Sequence, residues 1–149
     1  MCDKYVYLAG PIAGQTYDQS NDWRINTGDR LRELGMVPLS PMRGKDPQAF
    51  VPGFDRESTP LTSARGIKAR DKYDVHRSSA VLANFLGATD KSIGTACEFS
   101  WADDAGVPVI AVMEPSGNPN DHPFIRETAF CVVTTLGEAI EVLRWIVLP

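Results

Sequence analysis

Short apolar segments alternate with helical patterns along the whole 149-residue chain, and this alternation restricts the fold more than any other feature. Four segments are dense in Val, Ile, Leu and aromatic residues and too short for core helices, so we predict buried strands. They are "KYVYLA" (4–9), "AVLANF" (80–85), "VPVIAVM" (107–113) and "FCVV" (130–133), and a weaker strand is expected at "MVPLS" (36–40).

The intervening segments are typical of helices. They cover residues 19–34, which end at Gly35, 64–79, 95–105, which end at Gly106, and 134–146, where Thr135 and Glu138 form a capping-box pattern. Alternation of this kind predicts an α/β fold of three layers, flavodoxin-like or Rossmann-like, with helices on both faces of a five-stranded parallel sheet. The length fits one domain that spans 1–149.

Charge and cysteine content limit the partners and the compartment. A net charge of −4, from 15 basic and 19 acidic residues, provides no general attraction to a nucleic acid polymer or an anionic membrane, and it favours a small ligand. Cys97 and Cys131 lie in apolar runs, so we expect buried thiols, and the odd cysteine count without a CxxC pattern favours the cytoplasm. The N-terminal segment has no signal-peptide pattern, and no window reaches the roughly 18 apolar residues of a membrane span. Two distant histidines predict no metal site, and no pattern implies a cofactor.

The segment from 40 to 63 is irregular. It contains four prolines and is longer than most connections between secondary-structure elements. Phe50, Val51 and Phe54 could anchor it to the domain, which favours a functional lid over a disordered excursion.

Open α/β sheets bind ligands outside the carboxyl ends of their strands, where the strand order reverses. The loops at 10–18 and 86–95 follow the first and third predicted strands, and small residues such as Gly10 let backbone N–H groups approach a polar ligand there. Neither G-x-G-x-x-G nor G-x-x-x-x-G-K-[ST] is present, so a dinucleotide-binding or P-loop function loses its main support.

Asp71 is a candidate functional acid on the helix at 64–79. Ile67, Asp71 and Val75 are spaced by four residues, so Asp71 shares a helical stripe with apolar side chains and should face inward. A carboxylate there must be paired or have a raised pKa. Asp74 lies beside it and is a candidate substrate contact. The alternative is an acid on a solvated face, paired with a cation such as Arg70.

Glu98 has two interpretations that the residues leave open. Thr95 and Glu98 fit the capping box S/T-x-x-E, in which the glutamate has no chemical role. The preceding Asp90, Ser92 and Gly94, however, are more polar and flexible than a cap requires. A carboxylate in such a cleft can act as a nucleophile while a second acid with a raised pKa supplies protons, the pair of groups used to cleave glycosidic bonds.

An ordered set of segments over nearly the whole chain resembles the nucleoside 2-deoxyribosyltransferase family, which also includes nucleoside monophosphate N-glycosidases. The segments are "YVYLAGPI", "ARDKYDV", "AVLANFLGA", "SIGTACE", "GVPVIAVM" and "NPNDHPFIRE". The resemblance implies that Glu98 attacks the anomeric carbon, that Asp71 protonates the leaving base and that Tyr7 holds the nucleophile. It further implies that Ser92 and Gly94 contact the sugar or its 5′ substituent.

The resemblance also implies a homo-oligomer with shared active sites, to which His122 or one of its rivals, Asn120 and Asp121, contributes a polar group. The expected activity is transfer of deoxyribose between a deoxynucleoside and a free nucleobase. The alternative is hydrolysis of a 5′-monophosphate, because the neutral Ser92 stands where transferases often have an aspartate and suits a phosphate better. A phosphate would need cations from outside this loop, and the candidates are Arg24, Arg43, Lys45 and Arg65. A non-enzymatic nucleotide sensor, with Glu98 as a cap, is the third hypothesis.

Overall fold

The computed structural model describes residues 3–45 and 62–149. Strands and helices alternate through this part of the chain. In order, they are β1 (Tyr5–Ala9), α1 (Tyr17–Glu33), β2 (Val37–Leu39), α2 (Ala64–His76), β3 (Ala80–Asn84), α3 (Ile93–Asp104), β4 (Val109–Val112), α4 (Pro123–Thr128), β5 (Cys131–Val133) and α5 (Leu136–Val147).

The five strands form one parallel sheet in the order β2-β1-β3-β4-β5. This is the flavodoxin-like order, so the predicted α/β fold with a five-stranded parallel sheet is confirmed. After β1 the chain forms β2 on one side of β1 and then returns to form β3 on the other side. Tyr7 of β1 lies opposite Val81 of β3. The strand order therefore reverses between β1 and β3, and this point is where a ligand cleft is expected.

Helices cover both faces of the sheet, and the three central strands β1, β3 and β4 are therefore almost wholly buried. Tyr7 and Ala9 pack with residues of α2, α3 and α4, whereas Val6 and Leu8 pack with residues of α1 and α5. This alternation along β1 follows from the two-residue period of a strand. It directs the side chain of Tyr7 toward the layer that contains α3.

Several boundaries differ from the sequence-based prediction. The weak strand at β2 is present, α2 ends at His76 instead of residue 79, and α3 begins at Ile93 instead of residue 95. The helix α4 was not predicted as a separate element, because six residues are too few to show a helical period. Thr135 caps α5 by accepting a hydrogen bond from the Glu138 N–H.

The proposed lid lies mostly outside the described residues, which resume at residue 62 after residue 45. Within the described ranges, the structure has no helix with both the length and the apolar character that a membrane crossing requires.

Candidate active site

A cavity of about 580 Å³ opens at the carboxyl ends of β1 and β3, where the strand order reverses. Its walls come from the loop after β1, the loop before α3 and the facing sides of α2 and α3. Of the residues singled out from the sequence, Gly10, Asp71, Ser92, Gly94 and Glu98 line it. The size suits a small ligand, since such pockets usually measure about 300–1,000 Å³.

Glu98 is the most buried acid of this cavity, with only 7% of its surface exposed. Burial raises the pKa of Glu98 from 4.5 to about 8. The interaction with Tyr7 limits this rise, the Asp71 carboxylate adds to it, and the Arg24 cation limits it slightly further. A carboxyl with this pKa is mostly protonated at neutral pH and can lose its proton near it. Such a group is suited to chemistry that needs a reactive carboxylate.

The capping interpretation of Glu98 is wrong. The N-cap of α3 is Ser92, whose Oγ accepts a hydrogen bond from the Thr95 N–H at 3.4 Å and lies 2.8 Å from the Thr95 hydroxyl. Because the helix begins at Ile93, Glu98 falls in the second turn, beyond the reach of a capping box. The capping function belongs to Ser92, and the Glu98 side chain is directed into the domain instead.

Tyr7 lies fully buried beneath Glu98. Burial raises the pKa of Tyr7 well above its usual value, and the nearby carboxylates of Glu98 and Asp71 raise it further. The phenol is therefore a neutral O–H donor. Among the described residues, the Tyr7 hydroxyl and Glu98 Oε2 both lack a partner at full hydrogen-bond geometry. Unpartnered buried polar atoms are uncommon, and they indicate a site that a ligand or water completes.

Asp71 faces the same cavity from α2, with 15% of its side chain exposed. Burial raises the pKa of Asp71, while the Arg70 guanidinium at 3.4 Å and the Lys45 cation oppose the rise. The stripe pattern of α2 therefore correctly predicted an inward acid, and of the two expected consequences, pairing and a raised pKa, Asp71 shows both. Two carboxyl groups with raised pKa values thus share one cavity.

Asp74 does not reach the cavity, and its assignment as a substrate contact is not supported. Its carboxylate is fully buried between Arg43 and Arg77, with Arg77 Nη2 at 2.8 Å. Three residues correspond to about 300° of helical rotation, which leaves Asp74 only about 60° from Asp71 around the helix. The two ion pairs keep its carboxylate out of the cavity. Asp74 is therefore a structural residue in an ion-pair cluster.

Gly10 lines the cavity at a position that has no room for a side chain. A Cβ atom at this position would lie 2.7 Å from the Asn84 carbonyl oxygen, closer than packed atoms come. Gly94 differs, since a Cβ there would meet no protein atom within 4 Å and would instead project into open space at the mouth of the cavity.

Asn120 supports the loop before α3 instead of facing the main cavity. Its Oδ1 accepts a hydrogen bond from the Ser92 N–H at 2.7 Å, and its Nδ2 donates to the Asp90 carbonyl at 3.1 Å. Asn118 continues this network by accepting from the Asn120 N–H at 2.9 Å and donating to Glu114 at 2.7 Å. Within this chain Asn120 therefore has a supporting role, and its contact with the substrate of a neighbouring subunit remains a prediction.

His122 is an exposed residue that caps α4, with its Nδ1 accepting a hydrogen bond from the Phe124 N–H at 3.1 Å. His122 and Asn120 line a second cavity of about 590 Å³ between α3 and α4, not the cavity that contains Glu98. A contribution of His122 to a neighbouring subunit's site remains a prediction.

Lysines provide the positive charge of the main cavity. Of the four candidate cations, Lys45 alone lines it. Arg43 is engaged with Asp74, Arg24 lies buried behind the cavity, and Arg65 is exposed and does not line it. Lys68 and Lys91 also line it, although the sequence did not single them out for this role. Cys97 lines it as well and is exposed, contrary to the expected buried thiol. The described residues bring no three His, Cys, Asp or Glu side chains together in a way that could hold a metal ion.

No family model matches the sequence, and no curated protein matches it. Solved structures do match over nearly the whole chain. The molybdenum cofactor binding protein from the phototrophic bacterium Rippkaea orientalis is 19% identical, with a TM-score of 0.63 and 98% of both chains covered. The Moco carrier protein from Chlamydomonas reinhardtii is also 19% identical, with a TM-score of 0.62 and 97% of both chains covered. The CMP N-glycosidase BcmB from Clostridium botulinum is 16% identical, with a TM-score of 0.56, and 95% of this chain and 99% of that one are covered.

Identities this low show a shared fold and nothing finer. The fold and cavity define the class: a flavodoxin-like α/β protein with one buried and one partly buried acid at the strand-order reversal. A nucleotide N-glycosidase has a related fold, whereas membership in the 2-deoxyribosyltransferase family is not shown.

Proposed function

We propose that the protein is an enzyme that cleaves the N-glycosidic bond of a nucleoside 5′-monophosphate, with Glu98 as nucleophile and Asp71 as proton donor. The observation that carries the proposal is the buried Glu98 Oε2, which makes no hydrogen bond of full geometry to the described residues and lies in a cavity with a second acid. A structural carboxylate would be paired, as Asp74 is.

The reaction would take place in two steps. In the first, Glu98 passes the proton that it carries at neutral pH to Asp71, and the resulting carboxylate attacks the anomeric carbon. The bond to the base nitrogen breaks as Asp71 gives that proton to the departing base. In the second, Asp71 accepts a proton from water, whose oxygen attacks the same carbon and releases the sugar phosphate and the Glu98 carboxylate. The neutral Tyr7 O–H lies close enough to Glu98 to orient it between the two steps.

The entrance to α3 supports a monophosphate substrate over a free nucleoside. First-turn N–H groups, such as those of Ile93 and Gly94, have no acceptor within a helix, and the helix dipole adds a partial positive charge. Ser92 and Thr95 offer a hydroxyl donor, and Lys45, Lys68 and Lys91 bring positive charge to the same cavity. The fold shared with a CMP N-glycosidase supports the same choice.

The direct test is chromatography of free base released from CMP, dCMP, GMP, dGMP, UMP and dUMP. Glu98→Gln should lower the rate on the order of 10³-fold or more, and Asp71→Asn about 10²–10⁴-fold. Glu33→Gln, an exposed position at the end of α1, is the matched control and should leave the rate unchanged. Absence of free base from every monophosphate would refute the proposal.

Two further outcomes correspond to the other hypotheses. Formation of deoxyadenosine from deoxyinosine and adenine, absent in Glu98→Gln, would establish base transfer in place of hydrolysis. A binding protein is the second candidate function, because the two molybdenum cofactor proteins have higher TM-scores, 0.63 and 0.62, than the N-glycosidase, at 0.56. Tight nucleotide binding without turnover, unchanged in Glu98→Gln, would favour that candidate.

A further inference from the structure

The cavity has a buried cation on its inner side. Arg24 belongs to α1, yet only 2% of its surface is exposed, and it lies in a buried stripe with Ser20, Thr27 and Leu31. An arginine in such a stripe is rare, because burying a charge is costly unless its donors are satisfied.

The donors of Arg24 are satisfied by backbone carbonyls around the end of β1. Nε donates to the Leu8 carbonyl at 3.0 Å, Nη2 donates to the Gly10 carbonyl at 2.9 Å, and Nη1 donates to the Ser20 carbonyl. The guanidinium also lies over the Trp23 ring, 4.5 Å from its centroid. Arg24 thereby ties α1 to the turn that begins at Gly10 and lines the cavity.

No carboxylate of the described residues lies within salt-bridge distance of Arg24, so its charge is not neutralised locally. Burial lowers the pKa of Arg24 to about 10, which leaves the guanidinium charged at neutral pH, and the groups that oppose this fall are Tyr7, Glu98 and Asp71. The same cation in turn lowers the pKa of Glu98. Arg24 is therefore a buried cation that favours the ionised form of Glu98 without contacting it.

We propose that Arg24 is a positioning residue, whose buried guanidinium holds the turn after β1 in place and supplies the fixed positive charge that allows Glu98 to ionise. This inference rests on the proposed function in treating Glu98 as the nucleophile. The other charged or titratable groups around Glu98 come from β1, α2 and the loops that line the cavity, and they are Tyr7, Asp71, Lys45, Lys68, Asp90 and Lys91. Arg24 is more deeply buried than the three lysines, so water screens its charge least.

The test is a direct titration of Glu98 by NMR in protein labelled with ¹³C at the glutamate carboxyl, with its signal assigned as the one missing in Glu98→Gln. In Arg24→Gln and Arg24→Met the midpoint should rise by about one pH unit or more, because the ionised form loses its counter-charge. Arg24→Lys should restore a midpoint near that of the wild type. Arg30→Met, an exposed position on the same helix, is the control and should not move it. A folded neutral variant in which Glu98 titrates as in the wild type would overturn the proposal.

If neither neutral variant folds, each is combined with Glu98→Gln. Arg24 should matter less to folding once the buried carboxylate is removed, so at least one double variant should fold. An equal failure in both backgrounds would make Arg24 a purely structural anchor and overturn the proposal. The titration needs no turnover, so a Glu98 that responds to Arg24 in a protein without N-glycosidase activity would refute only the proposed function. Activity combined with a Glu98 that ignores Arg24 would refute only this inference.

Discussion

Replacing Glu98 by Gln should stabilise the protein at neutral and alkaline pH. The carboxyl is buried, and its pKa rises from 4.5 to about 8 on folding. Between these values the folded state binds more protons than the unfolded state, so the contribution of Glu98 to the free energy of unfolding falls as the pH increases. Glutamine has nearly the same shape and never ionises, so it escapes this loss.

The size of the effect follows from the same interval. At 1.36 kcal/mol per pKa unit, a rise from 4.5 to about 8 corresponds to at most about 5 kcal/mol when Glu98 is fully ionised. Most of this change falls between pH 5 and pH 7.5, where the advantage of Glu98→Gln over the wild type should grow by about 3 kcal/mol. Below about pH 4.5 both side chains are neutral, and the two proteins should be nearly equally stable.

Urea unfolding at a series of pH values from 4 to 8.5 measures this difference directly. Other titrating groups are shared by the two proteins, so to first order they cancel when the free energies of unfolding are subtracted. Glu33→Gln, on the exposed end of α1, controls for the loss of a surface charge and should show no comparable pH dependence. A constant difference between Glu98→Gln and the wild type over this pH range would refute the argument, because it would mean that Glu98 is ionised and hydrated in the folded protein.

Three further predictions concern neighbouring positions. Asp74→Asn should lower the free energy of unfolding by about 2 kcal/mol, because Asp74 is fully buried between two partly exposed arginines. The kinetic constants of the folded enzyme should stay nearly unchanged, and thermal unfolding together with initial-rate assays separates the two effects. Gly10→Ala should cost about 1–3 kcal/mol, since its Cβ would lie 2.7 Å from the Asn84 carbonyl oxygen, and unchanged stability in urea would show that the turn can move aside. Ser92→Asp should raise KM for a monophosphate at least about tenfold through repulsion, and more than Ser92→Ala does; equal effects on a nucleoside and its monophosphate would argue against a phosphate at this position.

The sheet was predictable because each buried strand is a short apolar run that no other element explains as well. The inward position of Asp71 was predictable for a related reason, since Ile67 and Val75 define the buried stripe of α2. Both predictions depend on the spacing of apolar residues within one strand or one helix, which the sequence displays directly.

Contacts between elements were harder to predict. The predicted start of α3 is two residues late because Thr95 and Glu98 match a capping box that Ser92 does not complete. The Ser92 N–H donates to Asn120, 28 residues away, and the sequence does not display this contact. The sequence offers Asp74 and Asp71 equally as substrate contacts. The structure pairs Asp74 with Arg43, which lies 31 residues away along the chain. The burial of Arg24 was predictable in principle, because this cation lies on the same helical stripe as Ser20, Thr27 and Leu31.

The corrected start of α3 bears on the proposed substrate. Six residues separate the cap Ser92 from Glu98, which at 1.5 Å per residue is about 9 Å along the helix axis. A phosphate at the N-terminus of α3 would therefore lie one ribose 5-phosphate away from the Glu98 carboxylate, with room for the roughly 3 Å approach that attack on the anomeric carbon requires. Had the helix begun at Thr95, Glu98 would lie within one turn of the phosphate, and both groups could not contact the same nucleotide in these roles. The early cap, which removes the capping function from Glu98, thus also leaves an axial distance between Ser92 and Glu98 that suits the proposed nucleoside monophosphate substrate.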